Sequence, residues 1–221
     1  MKKFWHNLIG FINEKVTKEA TFPIKKSPFP AKISKESINR LPLGKYEGKI
    51  VVINSEELVK PAVDELLKED LLGFDTESRP SFTKGTYYPP SLIQFAGSKA
   101  VYLFQINLLE NKLESLRPIL ENARIAKAGI AIDDDVRKLK TIQEFDDQSF
   151  MELSKYTLKA GIHNTGLRSL VAMFLGYRLS KGAQVSNWSK ENLDESQRIY
   201  AATDAWFCRE LYFKIQSLNL L

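Results

Sequence analysis

The sequence predicts an α/β fold, a mixed sheet flanked by helices on both faces, and three observations carry that expectation. From residue 49 a β-branched run, an amphipathic stretch and three more strand-like runs follow in order. Strand and helix patterns then alternate to about residue 153. The last third reads as helical.

Each element has a local reason. "KIVVIN" is a run of Val and Ile at strand length, and "SEELVKPAVDELLKED" is helical, with Ser55 as N-cap and Pro61 either bending the helix or marking its start. "LLGFDTE" is a second strand, and "SRPSFTKGTYYPP", rich in Pro and Tyr, is a loop. "SLIQFA", the turn "GSK" and "AVYLFQI" form an antiparallel hairpin. A helix is expected around 108–121, a strand at "RIAKAGI", a helix from the aspartate run at 133 to about 143, and a short extended piece near 147–153. "GLRSLVAMFLG" and a long segment from about 193 to 218 complete the helices.

The 221 residues, 43% hydrophobic and 27% charged, suit one globular domain over residues 49–221 with an extension, residues 1–48. A lone cysteine, Cys208, excludes an internal disulfide and a cysteine-cluster zinc site, so a reducing, cytoplasmic setting is expected. No stretch approaches the roughly 18 apolar residues that cross a bilayer. The start, "MKKFWHNLIGFINEKV", lacks a signal-peptide cleavage site. Phe4, Leu8, Phe11, Ile12 and Val16 recur at helical spacing there, as in an amphipathic helix that packs on the domain or on a second copy, or else anchors to a membrane or a partner.

The net charge of +5 is unevenly spread. Residues 1–49 hold 11 Lys+Arg against 4 Asp+Glu, which leaves 21 against 23 for the rest. A basic arm carrying "TFPIKKSPFPAK" can hold a phosphate backbone by electrostatics, or can be a solvated linker.

Three acidic features follow. Strand alternation puts Asp75 and Glu77 on one face with Gly73, which leaves room there, while Leu72, Phe74 and Thr76 point the other way. Two like charges about 7 Å apart repel, and a bound Mg²⁺ or Mn²⁺ turns that cost into a gain; two acids opening a solvated loop are the plainer alternative. In "AGIAIDDDVRKL" a strand runs into three aspartates and a helix, and helix capping explains one or two of the three. In "YAATDAW", Tyr200 and Asp204 lie one helical turn apart on a shared face, where a phenol beside a metal-bound carboxylate can orient a water. Acids from separated segments suit phosphodiester hydrolysis by two metal ions about 4 Å apart, one activating water and the other stabilising the leaving 3′ oxygen.

"GFDTE", "KAGIAIDDDVRKL" and "YAATDAW" resemble the three motifs of the DEDD 3′→5′ exonucleases, tyrosine subclass, which have a ribonuclease H-like fold. With "SLIQFA", "VYLF" and "SNWSKENLDESQ", residues from about 50 onward are similar to the exonuclease domain of the Werner syndrome protein and, less closely, to ribonuclease D. The resemblance implies Asp75, Glu77, Asp135 and Asp204 as ligands of two divalent ions, Mg²⁺ or Mn²⁺, with Asp75 bridging them and Tyr200 positioning the attacking water. It selects Asp135 by its spacing from the glycine, with Asp133 and Asp134 as substitutes. The two histidines, His6 and His163, stand far from the third motif, against the histidine subclass. The implied partner is nucleic acid with a free 3′ end, DNA before RNA, since no extra helical domain of the ribonuclease D kind follows Leu221 in this sequence. RNA 3′-end processing and a binding module without turnover are the rivals.

For substrate contacts the loop after the acidic strand offers Arg79, Lys84, Tyr87 and Tyr88, the mixture of cations and aromatics that grips single strands, or simply polar filler. Trp188 is expected to pack and not to stack on a base.

Overall fold

The computed structural model describes residues 28–81, 83 and 85–221. The predicted amphipathic helix at residues 4–16 and the candidate Lys84 lie outside them. A short helix α1 (Lys35–Asn39) precedes a six-stranded sheet made of β1 (Lys49–Ile53), β2 (Leu71–Ser78), β3 (Pro90–Ala96), β4 (Ala100–Phe104), β5 (Ala126–Gly129) and β6 (Phe150–Glu152). Strand order is β1-β4-β3-β2-β5-β6. β3 runs antiparallel to β2 and β4, and the β1–β4, β2–β5 and β5–β6 pairs are parallel.

The helices are α2 (Glu56–Leu66), α3 (Arg117–Leu120), α4 (Ile132–Lys140), α5 (Leu153–Lys159), α6 (Leu167–Leu175) and α7 (Glu195–Ser217). They divide between the sheet's faces. Leu72 and Phe74 of β2 join Val59, Leu66, Ile119, Val136 and Leu139 in one core. On the other face Leu71 and Ala128 pack with Leu170, Phe174, Phe207 and Leu211, and Leu92, Val101 and Leu103 with Ala201, Ala202 and Ala205. Among the described residues no helix is long and apolar enough to cross a membrane.

The helix expected around 108–121 is mostly absent. A single 3-10 turn, Glu114–Leu116, leads into the four-residue α3. Leu109, Leu113, Leu116 and Leu120, which stand at helical spacing, are buried nonetheless. Lys112, at φ 42°, is left-handed, and an α-helix cannot pass through it. Ser55 is the N-cap residue of α2 as expected, with extended backbone at φ −149° and ψ 156°, but its hydroxyl donates to Glu57 Oε1 at 2.7 Å and makes no side-chain cap bond. Pro61 lies inside α2, not at its start.

Residues 28–48 are docked by specific bonds. His163 N donates to Ala31 O at 2.8 Å, Gly44 N to Arg178 O at 2.9 Å, and Tyr46 N to Thr203 Oγ1 at 2.9 Å. The Phe29 ring lies 4.6 Å from that of Phe174.

Candidate active site

The site forms where β2 leaves the sheet. β2 is paired with β5 over its first three residues and with β3 from Gly73 to Ser78, and Asp75 and Glu77 project from the face that α7 covers. α7 begins at a reciprocal cap: Asp194 Oδ1 accepts from Gln197 N at 2.9 Å while Asp194 N donates to Gln197 Oε1 at 3.2 Å. Its Ala201, Ala202 and Ala205 are fully buried, and such small side chains let the helix approach the sheet closely. That approach occupies the space left by Gly73. A Cβ on Gly73 would overlap the Ala205 carbonyl oxygen, so the glycine admits a helix and does not hold an open face as the sequence suggested.

Asp75, Glu77 and Asp204 converge. One carboxylate oxygen from each lies within 4.8 Å of the other two. Asp135 comes from the opposite face of the sheet, on the first turn of α4, and lies against the Thr76 hydroxyl, which offsets part of the rise in pKa that burial causes. It is near enough for its charge to raise the pKa of both Asp75 and Glu77.

The triple aspartate divides by environment. Asp133 pairs with Lys155 at 2.5 Å, and Asp134 with Arg137 at 3.1 Å and Lys138 at 2.7 Å, all exposed. Asp135 is half-buried and unpaired in this way. None of the three caps α4. The N-cap is Ala131, left-handed at φ 62°, and the helix's first N–H, from Ile132, donates to Glu152 Oε2 at 2.8 Å. The other oxygen of Glu152 accepts from Ser154 N at 3.0 Å, so one buried carboxylate starts both α4 and α5.

Crowding shapes the acid–base behaviour. Burial, then the charges of Asp204, Glu77 and Asp135, holds the Asp75 carboxyl well above the usual range. Burial and the Asp204 and Asp135 charges push Glu77 up to about 9. Burial raises Asp135 to about 6 and Asp204 to about 7, the latter opposed by the Tyr200 phenol and the Arg168 guanidinium. Burial and Asp204 raise the Tyr200 phenol further above its ordinary value. An all-oxygen donor set under mutual repulsion fits a hard divalent cation.

A cavity of about 510 Å³ opens over Asp75, Glu77, Tyr200 and Asp204, with Arg168 and Gln184 on its wall. Arg168 escaped the sequence reading, although it is the one charge on the apolar helix "LRSLVAMFL". Glu152 escaped too. Of the loop candidates, Arg79 lies 5.1 Å over the Tyr88 ring and Tyr87 is 86% exposed; neither lines the acidic cavity. Trp188 is fully buried, 6.0 Å from the Tyr200 ring, and packs as expected.

Comparison with known proteins gives a consistent result. Residues 50–218 match the family model of the 3′-5′ exonuclease domain. The mouse bifunctional 3′-5′ exonuclease/ATP-dependent helicase WRN is 36% identical over 158 residues, covering 68% of this chain and 11% of that protein. The exonuclease 3′-5′ domain-containing protein 2 of Drosophila melanogaster is 30% identical over 148 residues, 66% of this chain and 25% of that one. The chain thus spans a quarter or less of the length of these two relatives. In fold, it is similar to the EXO domain of Aedes aegypti Nibbler (TM-score 0.70, 22% identity, 80% of this chain and 91% of that one) and to Escherichia coli RNase D (TM-score 0.70, 20% identity, 77% and 45%). The mixed sheet is the ribonuclease H-like one these neighbours share, and the chain belongs to the DEDD-type 3′-5′ exonuclease family.

Proposed function

We propose that this chain is a metal-dependent exonuclease that removes nucleoside monophosphates from the 3′ end of nucleic acid, DNA before RNA. The convergence of Asp75, Glu77 and Asp204 within 4.8 Å, beside Tyr200 at the floor of an open cavity, carries the reading. Asp75, Glu77 and Asp204 would hold one divalent ion, Mg²⁺ or Mn²⁺, and Asp135 with Asp75 a second. Bound there, the ions supply charge neutralisation at the scissile phosphate and an activated water.

The chain's own groups do the rest. Tyr200, on the cavity beside Asp204, presents a hydroxyl to an entering water and orients it. Thr76 and Asp135 fix the ligand set from the far side of β2. Arg168, close enough to lower the Asp204 pKa, places a positive charge on the wall where a phosphate enters. Arg79 and Tyr87, with Lys84 of the same loop, are proposed to meet the strand on the exposed side.

The reading of DNA before RNA leans on the 36% identity to the helicase-linked exonuclease. The test is a comparison of DNA and RNA strands of one sequence and length at one salt concentration, with Mn²⁺. Faster release from DNA supports the preference, and faster release from RNA reverses it.

A further inference from the structure

A second cavity, of about 440 Å³, lies beyond the acids and shares no lining residue with theirs. Its floor is apolar: Pro90 and Ile106 are buried and Ile142 half-buried. Its rim carries Arg79 and Lys112, both exposed, and among the described residues neither has an acidic partner. On neighbouring α4, by contrast, Arg137 and Lys138 share Asp134 and Lys140 pairs with Glu144. Arg79 lies over Tyr88 instead, which turns one face of a phenol and one guanidinium toward the same groove. The far wall is braced: Ser91 and Ser189 hydroxyls are bonded at 2.8 Å, and Asn107 Nδ2 donates to Ser189 O at 3.1 Å.

An apolar floor beneath two free cations and an aromatic ring is the chemistry of a nucleotide site: a base has a face to lay on the floor or ring, and a phosphate answers the cations. The volume falls in the range of about 300–1,000 Å³ typical of small-ligand clefts, enough for one nucleotide. The position agrees. Arg79 follows Glu77 by two residues, about 7 Å of strand. Thr141 and Ile142, on the groove wall, follow Asp135 along and just beyond α4 by about 10 Å of helical rise.

We propose that this groove holds one nucleotide of the uncut strand, upstream of the nucleotide that adjoins the bond being broken, with its phosphate between Arg79 and Lys112 and its base beside Tyr88. The proposal rests on the exonuclease reading and extends it to a second subsite.

Two variants of exposed residues test it, Lys112→Glu and Tyr88→Ala, in the full chain with unchanged thermal unfolding as the control. Cleavage is measured on 5′-labelled di-, tri-, tetra- and hexanucleotides with Mn²⁺, and binding of a fluorescent hexanucleotide with Ca²⁺. Wild type should gain in kcat/KM with length, and each variant should cut that gain about tenfold and weaken hexanucleotide binding similarly. Lys112→Glu should also flatten the salt dependence of binding by about one unit of slope. Equal losses on dinucleotide and hexanucleotide, or no loss on either, would overturn the subsite. If wild type cleaves nothing, the exonuclease reading fails, while the binding comparison still decides the groove.

Discussion

Gly73 on β2 sits directly beneath Ala205 on α7: a methyl group on Gly73 would overlap the Ala205 carbonyl oxygen and lie 2.9 Å from the Arg209 backbone nitrogen. Asp204 immediately precedes Ala205, and Asp75 follows Gly73 by two residues, so this contact sets how closely the two acids meet. Gly73→Ala should force the helix off the sheet, costing about 1–3 kcal/mol of stability and more than tenfold in cleavage. Thermal unfolding and cleavage of one preparation check it. An unchanged melting temperature would show that α7 yields freely.

The aspartates of α4 should differ sharply when each is replaced by alanine. Asp133→Ala and Asp134→Ala remove exposed ion pairs worth no more than about 0.5 kcal/mol and should leave cleavage nearly intact. Asp135→Ala should lower cleavage by at least about a hundredfold with the fold preserved. Glu152→Ala, which uncaps α4 and α5, should lower stability by about 2 kcal/mol and weaken Mn²⁺ binding through displacement of Asp135. Titration calorimetry with Mn²⁺ separates the two kinds of loss.

Stability without metal should fall as pH rises. Unfolded carboxyls ionise near pH 4, whereas folded Asp135 and Asp204 titrate at about 6 and 7, Glu77 at about 9 and Asp75 well above its ordinary value. Between these limits the folded chain binds more protons than the unfolded one, so the cluster's contribution is lost as pH climbs. Lys127, lowered by burial to about 8, acts in the opposite sense only at more alkaline pH, so pH 5 and 7.5 are the pair to compare. In EDTA the melting temperature should be lower at pH 7.5, and the rise on adding Mn²⁺ should be larger there. A melting temperature in EDTA that increases from pH 5 to 7.5 would contradict the protonated cluster.

Tyr200→Phe should keep the ring against Trp188 and lose only the hydroxyl. A fall in kcat of about a hundredfold is expected, with KM and Mn²⁺ affinity little changed. The phenol also lowers the Asp204 pKa, so the alkaline shift of the rate profile is a second readout. An unaltered kcat would remove Tyr200 from the chemistry.

How much was legible follows from where the determinants sit. Asp75, Glu77, Tyr200 and Asp204 lie inside long regular elements, where alternation puts Asp75 and Glu77 on one face and helical spacing puts Tyr200 and Asp204 on another, while joining the two pairs in one site came from the family resemblance. The region 108–121 misled because burial at helical spacing is also achieved by turns once a left-handed Lys112 interrupts the chain. Glu152 was invisible because its bond to Ile132 spans 20 residues and joins two elements, and capping was assigned to the nearest aspartates instead. Gly73 was recognised as space, but what fills it comes from a helix more than a hundred residues later.

The central claim is tested most directly with a 5′-labelled single strand, Mn²⁺, wild type and Asp75→Ala. A ladder of products shortening by single nucleotides from the 3′ end, present in wild type and absent in Asp75→Ala, is the predicted result. Internal cuts, cleavage that survives Asp75→Ala, or an intact strand throughout would contradict the account.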